Sequence, residues 1–314
     1  MALAENPIMF TNNPLDRAGH ARGDAEWVAA QLAADTALIV PLWHLQPLVL
    51  PEVVAGEGRD VGWLPKAAFG EAWHSDMLVV FLGLNRRGKP LFAADISHMA
   101  NPEDMGPFKG MGHFEDLRAL ASAGDMPRTE LAILAQAKGM LHWNLSTPFC
   151  AQCGSPSRMA EGGYKRVCDK CETEHFPRTD PVVIMLAVHG DACLLGRQRG
   201  WPDGMMSALA GFMEPGESIE EAVARELQEE AGLEISSVRY VGTQPWPFPG
   251  SLMIGCIAEA SSRDITVDEV ELEEARWITR DEVISSIAGQ GPLGAPPPMA
   301  IAYQLMQAFA EGKA

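Results

Sequence analysis

Four cysteines and one run of glutamates are the residues of this chain with the clearest chemistry. Cys150-x-x-Cys153 and Cys168-x-x-Cys171 are separated by fourteen residues. Each pair can form a turn that presents two thiolates, and two such turns complete a tetrahedral, all-sulfur site. That donor set leaves no open position, so it suits one structural Zn²⁺ per chain. A redox Cys-x-x-Cys needs no matching second pair, and four unrelated buried thiols rarely fall at this spacing. In the same stretch Arg158, Lys165, Arg166 and Lys170 are offset by Glu161, Asp169, Glu172 and Glu174, which leaves no basic face to read nucleic acid. Four cysteines fill the site, so His175 is expected as a surface or packing residue. Cys193 and Cys256 lie in apolar runs and are expected in the core.

The glutamates belong to a segment with its own helical logic. Ser218 and Glu221 form a capping-box pattern, which predicts a helix start there. Ile219, Val223 and Leu227 recur every four residues and make a buried face. Gly232 suits the left-handed position that stops a helix. Glu226, Glu229 and Glu230 then fall at i, i+3 and i+4, on one face. Like charges at that spacing cost roughly 0.2–0.5 kcal/mol per pair, so a bound cation is the economical compensation. Oxygen-only ligands select hard ions such as Mg²⁺ or Mn²⁺. Taken alone, the run fits a solvated acidic helix face better than a metal site, because most charge runs are solvated faces.

These groups need a scaffold, and 314 residues are enough for two domains with real cores. The formal charge of -18, from 42 acidic and 24 basic residues, argues against a general nucleic-acid or membrane-surface binder. An anionic substrate is still accessible if cations stand between it and the protein. Met1–Phe10 lacks the pattern of a secretion signal. The apolar stretch Thr36–Val54 is broken by Pro41, His44, Gln46, Pro47 and Pro51, so no membrane span is expected. Thiols at metal spacing point to a reducing, cytoplasmic setting. Three segments are expected: an N-terminal α/β domain at 1–145, a zinc ribbon at 146–179, and a third domain at 180–314. The first should contain a hairpin from Met77–Leu84 to Pro90–Ile96 and a helix over Glu130–Trp143. The third should open with Val182–Val188, turn at His189-Gly190-Asp191, and end in a helix near Pro298–Ala310, with Pro296-Pro297-Pro298 stiffening the approach to it.

The glutamate segment, written Gly211-x5-Glu217-x7-Arg225-Glu226-Leu227-x-Glu229-Glu230-x-Gly232-Leu233, closely resembles the Nudix box. Nine defining positions would match somewhere in a chain of this length by chance with odds on the order of 10⁻⁷. Three further features resemble the NADH pyrophosphatase branch of the Nudix hydrolases. A four-cysteine ribbon precedes the box. Phe176-Pro177-Arg178-Thr179-Asp180-Pro181 looks like the junction into the first strand. Thr243-Gln244-Pro245-Trp246-Pro247-Phe248-Pro249-Gly250-Ser251 is similar to the Ser-Gln-Pro-Trp-Pro-Phe-Pro-x-Ser signature of members that cleave NAD(H). Two positions depart from the pattern: Thr243 replaces Ser, and Phe176 replaces a frequent Tyr.

The resemblance implies a Nudix α/β/α sandwich with a mixed sheet, preceded by the zinc ribbon and an N-terminal α/β domain. It implies metal-dependent hydrolysis of NAD(H) to NMN(H) and AMP, removal of NAD caps from RNA, and a homodimer. Carried over residue by residue, Glu226, Glu229, Glu230 and Glu271 hold Mg²⁺ or Mn²⁺, and Ala210 offers its carbonyl. Glu230 is the candidate general base and Glu229 the fallback. Arg225 orients the box, by pairing with Glu217. Phe176, Phe212, the segment Gln244–Ser251 and Ala302 are implied substrate contacts. The signature also has its own physics. Alternating prolines stiffen an extended segment, Trp246 and Phe248 offer flat faces to a base, and Gln244 and Ser251 can hydrogen-bond. Two alternatives stand beside this reading. A Nudix enzyme for another nucleoside diphosphate derivative, such as ADP-ribose, would not need the Gln244–Ser251 segment. A non-catalytic zinc-ribbon module would not need the intact glutamates.

Overall fold

The computed structural model describes residues 8–51 and 58–313. Most of the N-terminal stretch scanned for a targeting signal, and the last residues of the Thr36–Val54 stretch, lie outside them. The chain forms two compact units. One holds Phe10–Arg178 with Pro247–Gly250, the other Thr179–Trp246 with Ser251–Ala314. Among the described residues no helix is long and apolar enough to cross a membrane.

The first unit is built on a mixed sheet of six strands: β1 (Leu38–Trp43), β2 (Gln46–Leu50), β3 (Asp60–Val61), β4 (Val79–Leu84), β5 (Pro90–Asp95) and β6 (His113–Phe114). The order is β3-β2-β1-β5-β4, with β6 also against β2 and one parallel pair, β1 with β5. The expected hairpin is β4–β5, closed at Asn85, whose side-chain oxygen accepts from the Arg87 and Lys89 amides. Thr36–Val54, broken by prolines in the sequence, supplies the hairpin β1–β2. Helices α1 (Ala25–Ala33), α2 (Leu117–Ala123) and α3 (Arg128–Ser146) complete this part. Asp24 and Asp116 cap α1 and α2, satisfying amides that a helix start leaves open.

The strands of the cysteine segment, β7 (Ser157–Ala160), β8 (Lys165–Cys168) and β9 (Glu174–His175), form a small antiparallel sheet in the same unit. Its seat is tight. A Cβ at Gly162 would stand 2.8 Å from Phe81 Cβ, and one at Gly163 would stand 2.7 Å from Val80 Cγ1. Both residues also have positive φ, so glycine is required there twice over. Beside them the Gln136 amide donates to the Tyr164 hydroxyl and the Leu82 carbonyl, and the Arg22 guanidinium lies 3.7 Å from the Tyr164 ring centroid.

The second unit is a second mixed sheet with helices on both faces. Its strands are β10 (Asp180–His189), β11 (Ala192–Arg197), β12 (Leu209–Phe212), β13 (Ile235–Trp246), β14 (Ser251–Ala260) and β15 (Glu274–Thr279). The order is β13-β14-β10-β11-β15, with β12 also on β10. Side chains alternate across a strand, and β10 divides accordingly. Val183, Met185 and Ala187 pack with Ala222, Val223, Leu227 and Ala231 of α4 (Ile219–Ala231). Ile184, Leu186 and Val188 pack with Val283 of α5 (Arg280–Ile287) and Ile301, Leu305, Met306 and Phe309 of α6 (Ile301–Ala310). The result is the expected α/β/α sandwich. Cys193 and Cys256 are fully buried, one in each core layer. The C-terminal helix starts at Ile301, three residues beyond the proline run.

Candidate active site and zinc ribbon

The helix α4 forms as its sequence requires. Ser218 Oγ accepts from the Glu221 amide while the Glu221 carboxylate accepts from the Ser218 amide. Gly232 closes the helix at φ 66 in the left-handed region. With Val223 and Leu227 in the core, the turn carrying Glu226, Glu229 and Glu230 is fixed against the sheet. Glu226 and Glu230 are buried at 8% and 4% exposure, whereas Glu229 and Glu271 are exposed.

Burying two carboxylates among other acids has an electrostatic consequence. Burial first, and then the charges of Glu226, Glu271, Glu229 and Asp268, push the Glu230 carboxyl up to about 8. Burial also raises Glu226, with Arg225 acting against it. A cation among these groups would relieve both effects, and oxygen donors suit a hard divalent ion.

Arg225 organises the rest of the loop. Its Nε and Nη2 donate to the two oxygens of Glu217 at 3.0 and 2.8 Å. Nη1 reaches Glu226 at 2.8 Å and Glu229 at 3.0 Å, and Nη2 also donates to the Phe212 carbonyl at 2.9 Å. The Arg225–Glu217 pair expected from the sequence is present, and its hydrogen bonds extend to Glu226 and Glu229. Arg225 and Glu217 stabilise each other's charged forms, chiefly through that hydrogen-bonded pair.

Two features of the site escaped the sequence reading. Gly211, paired with Val183, leaves the space into which Glu226 reaches; a Cβ there would fall 1.8 Å from Glu226 Cδ. The glycine at the head of the box is therefore a matter of room for a carboxylate. The second is Asp268. Its amide donates to the Glu230 carbonyl at 3.0 Å. Its Oδ1 accepts from the Val270 amide at 2.8 Å, and its carbonyl accepts from the Glu271 and Leu272 amides. It thus ties the turn that carries Glu271 to the end of α4. An Asp three residues before a glutamate was the available signal, but it is common in any turn.

The remaining positions divide by exposure. Phe212 and Phe176 are each 61% exposed, and Lys165 Nζ lies 5.7 Å from the Phe176 ring centroid. Ala210 is half-buried on β12 opposite Ile184. Ala302 is buried at 3% within the α6 core face, so its methyl group serves packing. Gln244 is fully buried. Its amide donates to the Met299 carbonyl at 2.7 Å, and its oxygen accepts from the Ile301 amide at 2.8 Å. That side chain is spent on docking α6. The proline-rich segment is also not extended throughout. Thr243–Trp246 continues β13, Pro247–Gly250 turns, and Trp246 pairs with Ser251. Pro245 and Pro249 are exposed, Pro247 is buried, and Trp246, Phe248, Gly250 and Ser251 are half-buried.

In the ribbon the four Sγ atoms lie within 4.8 Å of one another, with Cys150–Cys171 at 3.7 Å and Cys153–Cys168 at 3.5 Å. A tetrahedron with Zn–S bonds of 2.3 Å has edges of about 3.8 Å, so the thiols fit the ion. Hydrogen bonding to Thr173, whose Oγ1 lies 3.2 Å from Cys171 Sγ, lowers the pKa of Cys171 and favours its thiolate. His175 is half-buried with Nε2 3.3 Å from Cys150 Sγ, a partner to a ligand rather than a surface residue. Among the described residues, no three glutamates draw their oxygens together as these four thiols do.

A capped helix bearing buried glutamates on an α/β/α sandwich, preceded in the chain by a four-thiol ribbon, has the parts of a hydrolase that works with divalent ions. Residues 177–296 match the NUDIX domain, residues 145–176 the NADH pyrophosphatase zinc ribbon domain, and residues 36–143 the NADH pyrophosphatase-like rudimentary NUDIX domain. The chain is 34% identical over 337 residues to the NAD-capped RNA hydrolase NUDT12 of Macaca fascicularis, covering 95% of this chain and 72% of that protein. It is 35% identical over 254 residues to the human mitochondrial NAD(P)H pyrophosphatase NUDT13, covering 74% and 71%. It is 41% identical over 213 residues to the NAD-capped RNA hydrolase NudC of Mycobacterium bovis, covering 67% and 66%. The chain belongs to the Nudix hydrolase family, in the branch that carries the NADH pyrophosphatase zinc ribbon.

Proposed function

We propose that this protein hydrolyses the pyrophosphate bond of NAD(H), giving NMN(H) and AMP, and removes the same group as a cap from RNA. The observation that carries the reading is the face of α4. Two buried glutamates stand there beside Glu229, Glu271 and Asp268, and burial plus mutual repulsion raises the Glu230 carboxyl to about 8. Names of relatives that act on NAD(P)H and NAD-capped RNA support the substrate.

Glu226, Glu229, Glu230 and Glu271, with the Ala210 carbonyl, would hold Mg²⁺ or Mn²⁺. When bound, such ions supply positive charge against the pyrophosphate oxygens and acidify a water. Glu230 is the candidate general base, with Glu229 as the alternative. Arg225 keeps Glu226 and Glu229 at fixed positions, and Asp268 sets the turn of Glu271. Phe176, Phe212 and Trp246 offer aromatic faces to the bases, and Pro245, Pro247, Phe248, Pro249, Gly250 and Ser251 shape the wall. Gln244 fixes β13 to the start of α6, the helix that carries Ala302. The charge of -18 restricts an RNA substrate to local contacts.

The three-segment division at 145 and 179, a cytoplasmic setting and a homodimer belong to the same reading. Four thiols at zinc spacing fit a reducing compartment. Tyr240 and Val241 lie exposed on β13, the outer strand of its sheet, and offer a face to a second copy; sedimentation of the purified protein as a monomer would remove that part.

The test is product analysis after incubation with NADH, NAD⁺, ADP-ribose and NAD-capped RNA. NMN(H) and AMP should appear, with higher kcat/KM for NADH than for ADP-ribose. Trp246→Ala should lower kcat/KM for NADH about tenfold or more, as loss of a stacked base does, and affect ADP-ribose less. Equal proportional loss on both substrates would reject the segment as the source of specificity.

A further inference from the structure

The ring of Phe248 is held from one side of the sequence that the Nudix box does not include. Within the first unit, Arg118 Cζ lies 4.6 Å from its centroid and Lys138 Nζ 5.7 Å. Phe10 meets it edge-on at 6.0 Å with an interplanar angle of 66°. Arg118 is in the first turn of α2, and Lys138 is at the middle of α3.

Lys138 is an unusual place for a charge. It is half-buried, on a helix whose neighbouring positions Ala135, Ala137 and Met140 are buried. Burial lowers its pKa, the Asp116 carboxylate acts against that shift, and Arg118 acts with it. Its Nζ donates to the Leu45 carbonyl at 3.4 Å. An ammonium partly withdrawn from water gains more from the negative face of an aromatic ring than an exposed one does. The helix that carries it is a fixed platform. Gln136 is bonded to Asn13, Leu82 and Tyr164, and Glu130 accepts from the Trp63 indole at 2.9 Å.

We propose that Lys138 is a positioning residue for the substrate wall. It holds the Phe248 ring, and with it the turn Pro247–Gly250, to α3. Helix α3 thereby sets the conformation of that turn within the first unit. Lys138 acts through Phe248 and does not touch the substrate. The inference rests on the NAD(H) reading for its substrate and for the place of Phe248 in the substrate wall.

A double-mutant cycle in the full-length, zinc-loaded protein tests it: Lys138→Met, Phe248→Leu, the two combined, and Lys138→Arg. The measurements are kcat and KM for NADH and for ADP-ribose, and amide hydrogen exchange over residues 247–251. Lys138→Met should raise KM for NADH about tenfold with kcat within about twofold, and should speed exchange in that segment. The double mutant should be no worse than the poorer single mutant, because either change releases the same contact. Lys138→Arg should restore the wild-type values. The proposal is overturned if the two losses multiply, if kcat falls while KM holds, or if exchange at 247–251 is unchanged in Lys138→Met. Wild-type protein with no preference for NADH over ADP-ribose would defeat the substrate reading instead, and the exchange measurement would still decide the role of Lys138.

Discussion

Glu230→Gln separates what Glu230 costs the fold from what it contributes to the site. The carboxyl is 4% exposed and its pKa is about 8, against an ordinary value of 4.5. Between those values the folded chain holds a proton there that the unfolded chain has released. Stability from this group is therefore full below about pH 4.5 and is lost as pH rises through 8. At 1.36 kcal/mol per unit, the loss between pH 5 and pH 8 is about 3–4 kcal/mol. Glutamine has the same shape and no charge to bury, so the variant should lack this dependence. The assay is thermal unfolding of both proteins from pH 5 to 8, with one equivalent of zinc and no other divalent ion. The wild type should lose roughly 5–10 °C more than Glu230→Gln across that range. Added Mg²⁺ or Mn²⁺ should stabilise the wild type most at pH 8, because ligand carboxyls must be deprotonated to bind. Glu230→Gln should lose most of that gain, along with at least about 10²-fold in turnover. Parallel pH profiles for the two proteins would show that Glu230 is not the group that burial strains. Equal stabilisation by the ions would show that it does not hold them.

Other outcomes follow from the same geometry. Gly211→Ala places a Cβ where Glu226 sits, so it should destabilise by about 1–3 kcal/mol and lower kcat/KM for NADH at least tenfold; unchanged activity in a folded variant would contradict the close approach. The ribbon should carry about one zinc per chain, and Cys168→Ser should lower the melting temperature before it alters kcat. Freshly purified protein free of zinc by elemental analysis would defeat this. Asp268→Ala should weaken Mn²⁺ binding, measured by calorimetry, while Asp268→Asn keeps the turn and most of the affinity; equal affinities in wild type and Asp268→Ala would remove Asp268 from the site.

Several elements were legible because their causes are local. The capping box at Ser218, the left-handed Gly232, the Val223–Leu227 face and the paired Cys-x-x-Cys turns each depend on residues within a turn or two. The hairpins at Asn85 and His189–Asp191 were legible for the same reason. Thr36–Val54 was harder, because prolines hide strand character when the strands are judged one at a time. Pro41 lies in β1 and Pro47 in β2, where they pair all the same.

What the chain alone determined is which residues are chemically equipped: four thiols for zinc, and three glutamates on one helical face. What only the tertiary structure decided is how each is used. Gln244, read as able to hydrogen-bond, bonds to Met299 and Ile301 at the start of α6, and Phe248, read as a flat face, has Arg118 and Lys138 of two N-terminal helices beside its ring. Glu230 becomes a weak acid chiefly because sheet and helix exclude water around it, and to the charge of Glu226 on its own helix is added that of Glu271 from about forty residues downstream. Spacing along a chain fixes contacts within a turn or so, through bond geometry. Burial and long-range charge depend on which distant segments close over a group, and no local pattern encodes them.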